Sequence, residues 1–232
     1  LGAGWLGICP MPGRSGDYAG DLTVTGTVSG ASAIDLSNMV VASGHIIDLR
    51  SIVGAVILPD TVAAGETLKV TDSQFLGSPA QTIANSGTLT IYADGIGTQQ
   101  SPAAPDFRGI SGTGTAVYNV NLYTILGAGA HLNGVDVQVQ STLVIDAAAA
   151  DGNAFDGISS GSGHLIVTGT LNAATDLSSI GSHLLIADLS QLNLNGQTLT
   201  LPSAVAAGQS LIISDVEADG QTIASSGSLT IV

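Results

Sequence analysis

The segment "LPDTVAAGETLKVTD" at positions 58–72 recurs without a gap as "LPSAVAAGQSLIISD" at 201–215, an offset of 143 residues in a chain of 232. "LTVTGT" at 22–27 recurs at the same offset as "LIVTGT" at 165–170. "AIDLSNM" at 33–39 resembles "ATDLSSI" at 174–180, and "QTIANSGTLTI" at 81–91 matches "QTIASSGSLTI" at 221–231. Chance likeness among Gly/Thr/Val-rich strands yields an isolated match, not four in the same order, so the chain carries a long internal duplication. Its fold must be one that can be written twice in tandem.

Each copy has a finer rhythm. A small or polar residue opens a short alternating run: "GDLTV" at 20–24, "GHIIDL" at 44–49, "GETLKV" at 65–70 and "GTLTI" at 87–91. The same form returns as "STLVI" at 141–145, "GHLIV" at 163–167, "SHLLI" at 182–186, "GQSLII" at 208–213 and "GSLTI" at 227–231. Runs of about five residues with period two are short strands, not helices. Several starts lie roughly 18 to 24 residues apart, and a repeat of that length implies units that complete one another by stacking.

These features predict an all-β chain folded as a right-handed parallel β-solenoid, with aliphatic ladders inside and Gly and Asn at the corners. At about 20 residues per coil the chain makes roughly ten or eleven coils, a rod on the order of 50 Å long. The alternative is a pair of tandem β-sandwich domains, whose strand spacing overlaps this pattern. Sandwich cores usually hold a few large aromatics, whereas aromatics are 3% of this chain and Trp5 is its one tryptophan.

Residues 1–19, with Trp5, Cys9, Pro10 and Pro12, break the rhythm and are expected to be an N-terminal cap or linker. The solenoid is expected over 20–232, with the copies at approximately 20–95 and 162–232 and an irregular middle part at 96–161. In that middle, "IGTQQSPAAPDFRG" reads as a loop and "DAAAADGNAFDG" as a turn with one helical turn in its alanines. The run ending at Val232 stops inside a strand pattern, which is expected of a chain continuing into further repeats.

Charge narrows the functional classes. Four Lys and Arg stand against 18 Asp and Glu, a net charge of -14, so no basic patch can neutralise a phosphate backbone and nucleic acid is excluded as a partner. No run of about 20 apolar residues is available to insert into a bilayer. One cysteine makes an internal disulfide framework impossible.

Two sets of side chains could hold a metal. Asp146, Asp151, Asn153 and Asp156 place four oxygen-bearing side chains within eleven residues on a Gly-containing turn, the ligand chemistry of calcium. His164 and His183 are 19 residues apart, about one coil, so that two imidazoles in register could share a transition metal, with Asp188 nearby. The same histidines also fill a strand position that Thr67, Thr88, Thr142 and Ser228 occupy elsewhere, an ordinary outward place. No catalytic residue stands out: Lys69, Arg14, Arg50 and Arg108 are isolated, and Tyr18, Tyr92, Tyr118, Tyr123, Phe75 and Phe107 are a thin supply of rings for stacking on sugars.

The phrasing "VTGTV…AIDLSN", "VTGTLNAATDLSSI" and "LPSAVAAGQSLIISD" resembles the Gly/Thr/Ala/Asp-rich β-strand repeats of large bacterial surface proteins, the adhesins and S-layer proteins. That resemblance spans most of 20–232 and implies an exported protein at the bacterial cell surface, often calcium-dependent, that works as stalk, lattice or adhesive. The nonapeptide calcium repeats of toxin-like exoproteins are missing from it. The expectation is therefore a structural or adhesive module and not an enzyme, with other copies of itself or surface polymers and glycans as partners. The alternative is a polysaccharide-acting β-helix enzyme.

Overall fold

The computed structural model describes residues 21–28, 33–39, 44–76, 81–95, 97, 102–132, 135–149, 158–178, 180 and 186–232. The cap expected at 1–19 lies outside them, as do 150–157 and 181–185. Strands are numbered in chain order. One sheet has seven strands: β1 (Leu22–Thr27), β3 (Ile46–Val53), β6 (Thr67–Thr71), β8 (Thr88–Tyr92), β10 (Thr115–Val120), β12 (Asp136–Val139) and β14 (Ile158–Ser160). A second has six: β11 (Thr124–Leu126), β13 (Thr142–Asp146), β15 (His164–Thr170), β17 (Ile186–Asn193), β20 (Ser210–Ile213) and β22 (Ser228–Ile231).

Short strands turn the corners between them. They are β2 (Ile34–Asp35) beside β4 (Val56–Ile57), and β5 (Thr61–Val62), β7 (Ile83–Asn85) and β9 (Ile110–Ser111) in one group. β16 (Thr175–Asp176) pairs with β18 (Leu199–Thr200), and β19 (Ala204–Val205) with β21 (Ala224–Ser225). Every strand pair among the described residues is parallel. The architecture is a right-handed parallel β-solenoid of about 8 turns.

Ladder partners set the coil length. Thr67 to Thr88 is 21 residues, Thr88 to Thr115 is 27, Val117 to Asp136 is 19, and Ser210 to Ser228 is 18. Coils are thus longer on average than the 20 residues assumed from the strand starts. Excursions such as the proline-containing one before β9 lengthen single turns, so about 8 turns replace ten or eleven. At the ~4.8 Å strand spacing they make a rod on the order of 40 Å.

Inward positions form continuous aliphatic ladders. Ile47, Leu68 and Leu89 stack in register, as do Val70, Ile91, Tyr118, Val137 and Ile158, all buried. In the second sheet Leu143, Leu165, Ala187 and Leu211 do the same. A five-residue strand gains little alone, but each aliphatic buried between neighbours above and below contributes about 1.5–3 kcal/mol. Stacking is what makes such short strands stable.

The duplicated segments are duplicated structure. The series β1 to β8 recurs as β15 to β22, corner strands included, with the 3-10 turn at Asp72–Phe75 answered by α1 (Asp215–Ala218). The ladder slips at the same place in both: between Thr23 and Thr25 of β1, and between Ile166 and Thr168 of β15. Gly65 and Gly208 both turn with positive φ, +85° and +84°. A Cβ on Gly87 would lie 2.3 Å from the Ala63 carbonyl oxygen, and one on Gly227 would lie 2.2 Å from that of Ala206. Yet β1 belongs to the seven-stranded sheet and β15 to the six-stranded one, so the copies face different sides of the solenoid.

Glutamines, Gln81 buried and Gln221 exposed, complete the coils where strand pairing lapses. Gln81 accepts the Leu58 N–H and donates to the Val56 carbonyl, both at 2.9 Å, and Gln221 likewise donates to the Leu199 carbonyl at 3.2 Å. Side-chain amides stand in for a missing backbone partner, as buried peptide groups require.

Candidate functional site

A cluster of ionisable groups lies at the Asp72–Phe75 turn, where β6 leaves its sheet. The Asp72 carboxyl is fully buried. Its Oδ1 accepts the Asp94 N–H at 3.1 Å, and its Oδ2 accepts the Tyr118 hydroxyl at 2.6 Å. Asp94 is exposed and accepts the Ser73 hydroxyl, and Ser73 also bonds the Thr71 hydroxyl at 2.9 Å. Three successive coils thus meet at one carboxyl group: β6 with its turn, the end of β8, and β10.

Burial pushes the Asp72 carboxyl up to about 7, the neighbouring Asp94 carboxyl adds to the rise, and the Tyr118 hydroxyl opposes it. Burial, and then the Asp72 charge, push the Tyr118 phenol well above its ordinary value. Such a pair can hold and release one proton near neutrality. Tyr118 in turn closes an edge-to-face stack, 5.3 Å from Phe107, which is 4.9 Å from Phe75. Phe75, Phe107 and Tyr118, read from sequence as possible rings for sugar stacking, are interior side chains instead. An inward ladder position between Ile91 and Val137 leaves Tyr118 no route to the surface.

The residues singled out for metals fall as follows. Asp146 ends β13, where its carboxylate accepts the Ala148 N–H at 2.8 Å. It closes the 3-10 turn at Ala147–Ala149, the single turn expected of that alanine run. Asp151, Asn153 and Asp156 lie outside the described residues. His164 is exposed at the start of β15, in register with Thr142 and Ile186, while His183 lies outside the described residues. Asp188 is two positions along, opposite Ile166, and its carboxylate accepts both the N–H and the hydroxyl of Ser190. Among the described residues no group of three or more His, Cys, Asp or Glu is gathered as a metal site.

The outward face near the first copy holds the other charged feature. Arg50 pairs with Asp48 at 2.6 Å, and its guanidinium carbon lies 4.5 Å from the centre of the Tyr92 ring. Lys69 stands beside Asp48 in the ladder. Arg108 pairs with Asp106 in the same i, i+2 manner, also at 2.6 Å. The Arg50 and Arg108 partners hold Asp48 and Asp106 below the usual carboxylate range. Both arginines are therefore paired with an aspartate two residues earlier, which leaves little positive surface for a polyanion among the described residues.

A half-open hollow beside the strands, about 290 Å³, is lined by Asn85, Ser111, Thr115 and Asp136 among others and holds a single carboxylate. The Asp72 cluster does not open into it. No helix among the described residues is long and apolar enough to cross a membrane.

What the fold defines is a parallel β-solenoid with a tandem repeat, of the kind that repeat-rich surface proteins use. No protein-family model matches the chain, and no curated protein or solved structure matches it significantly.

Proposed function

We propose that the chain is a structural or adhesive module of a bacterial extracellular surface protein, a stiff solenoid shaft that presents side chains and performs no catalysis. The observation carrying this reading is what the two copies share and what they do not. The ladder slip, the positive-φ corners, the closely approached Gly87 and Gly227 and the glutamine bond from Gln81 or Gln221 to a corner carbonyl recur. The outward side chains do not: Arg50, Lys69 and Tyr92 correspond to Ser190, Ile212 and Val232. A shaft needs its stacking devices and tolerates outward change, whereas an active site needs particular outward groups held in place.

Its partners in this reading are other copies of the chain or surface polymers and glycans, met through outward rows of Thr, Ser, Asp and Asn. Calcium is the cofactor it carries, bound by Asp146 with Asp151, Asn153 and Asp156, and oxygen ligands suit that ion. His164 and His183 are the corresponding proposal for a transition metal.

The test sets presentation against turnover. Beads coated with the protein are applied to cells and to immobilised glycans, and the free protein is incubated with neutral and acidic polysaccharides while viscosity is followed. Retention of the beads with constant viscosity is the expected result. A catalytic fall in viscosity, lost in the Asp94→Asn variant, overturns it in favour of a polysaccharide-acting enzyme.

A further inference from the structure

The equivalent turns of the two copies exchange a buried amide for a buried carboxyl. In the first, Gln74 is buried; its Oε1 accepts the Thr71 N–H at 3.0 Å and its Nε2 donates to the Leu49 carbonyl at 2.9 Å. An amide does both because it has an acceptor end and a donor end. In the second copy the same place is taken by Glu217, three residues after the capping Ser214. Its Oε2 accepts the Ser214 N–H at 2.7 Å, but its Oε1 is buried with no hydrogen-bond partner, and the residue is 2% exposed.

The register shows which carbonyl takes the place of that of Leu49. Asp48 stands opposite Lys69 in the first copy and Asp188 opposite Ile212 in the second, so Leu189 takes the place of Leu49. A carboxylate there sets an acceptor against a carbonyl acceptor, at the full cost of a buried unpaired charge. A carboxylic acid carries one O–H and restores the bond that Gln74 makes.

The C-terminal coils carry no basic side chain to neutralise a charge. Residues 184–232 contain no Lys, Arg or His. Of the elements around the turn, β17 contributes Asp188, the turn itself contributes Asp215 and Asp219, and β20 and β22 contribute no titratable group.

We propose that Glu217 folds as a carboxylic acid donating to the Leu189 carbonyl, and that loss of its proton releases the terminal coil formed by α1, β21 and β22. Burial raises the Glu217 carboxyl above its ordinary 4.5, and the Asp188 charge adds to the rise. The folded coil therefore binds the proton more tightly than the open one. Closure is strongest below the ordinary glutamate range and weakens as pH rises, by up to about tenfold per pH unit, until the raised folded value is passed. Opening bares the edge of β20, with Leu211 and Ile213 behind it.

Amide exchange on the whole chain tests this, read as protection factors so that the intrinsic pH dependence of exchange is removed. In the parent protein, protection of the Ser228 and Val232 amides, which donate to the Gln209 and Ile213 carbonyls, falls with pH across this window and then levels, while β12 and β13 stay constant. Glu217→Gln copies the residue of the first copy and makes β22 protection independent of pH. Unchanged pH dependence in that variant overturns the proposal. A carbon NMR titration of the parent protein decides independently of the variant's folding: a Glu217 carboxyl titrating at its ordinary value overturns the proposal, and a raised one supports it.

Discussion

Replacing Asp72 by asparagine removes a titrating group from the most buried ionisable position of the first copy without changing its shape. The folded carboxyl is raised from 3.8 to about 7, so folding holds a proton that the unfolded chain gives up. Stability from this group is complete below about pH 4 and is lost as pH rises through 7, because the folded state must then ionise beside Asp94. Three pH units at about 1.4 kcal/mol each give a loss of roughly 4 kcal/mol between pH 4 and pH 8. The asparagine side chain cannot ionise, and its amide can donate toward the Asp94 carboxylate. It keeps fewer acceptor sites for Tyr118 and the Asp94 N–H, a pH-independent cost of about 1 kcal/mol. A solenoid can open coil by coil, so the comparison is read locally, from exchange protection of the Asp94 amide that donates to Asp72. Parent protection is expected to fall by two to three orders of magnitude from pH 4 to pH 8, and that of Asp72→Asn to stay level. Glu217 contributes with the same sign in both proteins and cancels in the difference. Parallel curves for the two proteins refute the assigned role of Asp72.

Three further outcomes can be checked together. Ala at Gly87 or at Gly227 drives a Cβ toward a backbone oxygen, and each is expected to lower stability by about 1–3 kcal/mol in urea melts; a neutral result at either site contradicts their equivalence. Gln81→Leu leaves the Leu58 N–H and the Val56 carbonyl without their partner and is expected to cost about 2–4 kcal/mol, against well under 1 kcal/mol for Arg50→Ser on the surface. Millimolar calcium is expected to raise the melting midpoint of the parent by several degrees and not that of Asp146→Ala, and an unchanged parent midpoint removes the calcium proposal.

Sequence periodicity reaches furthest where one coil is its own signal. The alternating runs opened by Gly or Ser at 44–49, 65–70, 87–91, 141–145, 163–167, 208–213 and 227–231 all contain strands. β10 and β12 escape it because "TAVYNV" and "DVQV" lie in the segment that lacks a counterpart in the repeat, and their alternation is too short to stand alone. The outward place of His164 is legible from its alignment with Thr142, which is its ladder partner. The Asp72 cluster is not legible. Its partners come from 22 and 46 residues further on, and only the observed coil lengths say that Asp94 and Tyr118 lie above Asp72. The exchange of Gln74 for Glu217 is visible in the aligned copies, but its meaning depends on burial, which an alternating pattern does not assign to residues in turns. Buried Gln and Asp read as surface residues until the coil above them is known.

In-register stacking of two equivalent coil blocks is tested most directly by cross-linking one rung to the next in each copy. Thr88 faces Thr115 across β8 and β10, and Ser210 faces Ser228 across β20 and β22. Neighbouring parallel strands at ~4.8 Å fall within the Cα separation that a disulfide spans. With Cys9 replaced by Ser, the double variants Thr88→Cys/Thr115→Cys and Ser210→Cys/Ser228→Cys are expected to oxidise fully to intramolecular disulfides, seen by mass and by peptide mapping. Pairs shifted by one residue on one strand point to opposite faces and should stay reduced. Oxidation of the shifted pairs, or failure of both in-register pairs, contradicts the solenoid and the equivalence of its two copies.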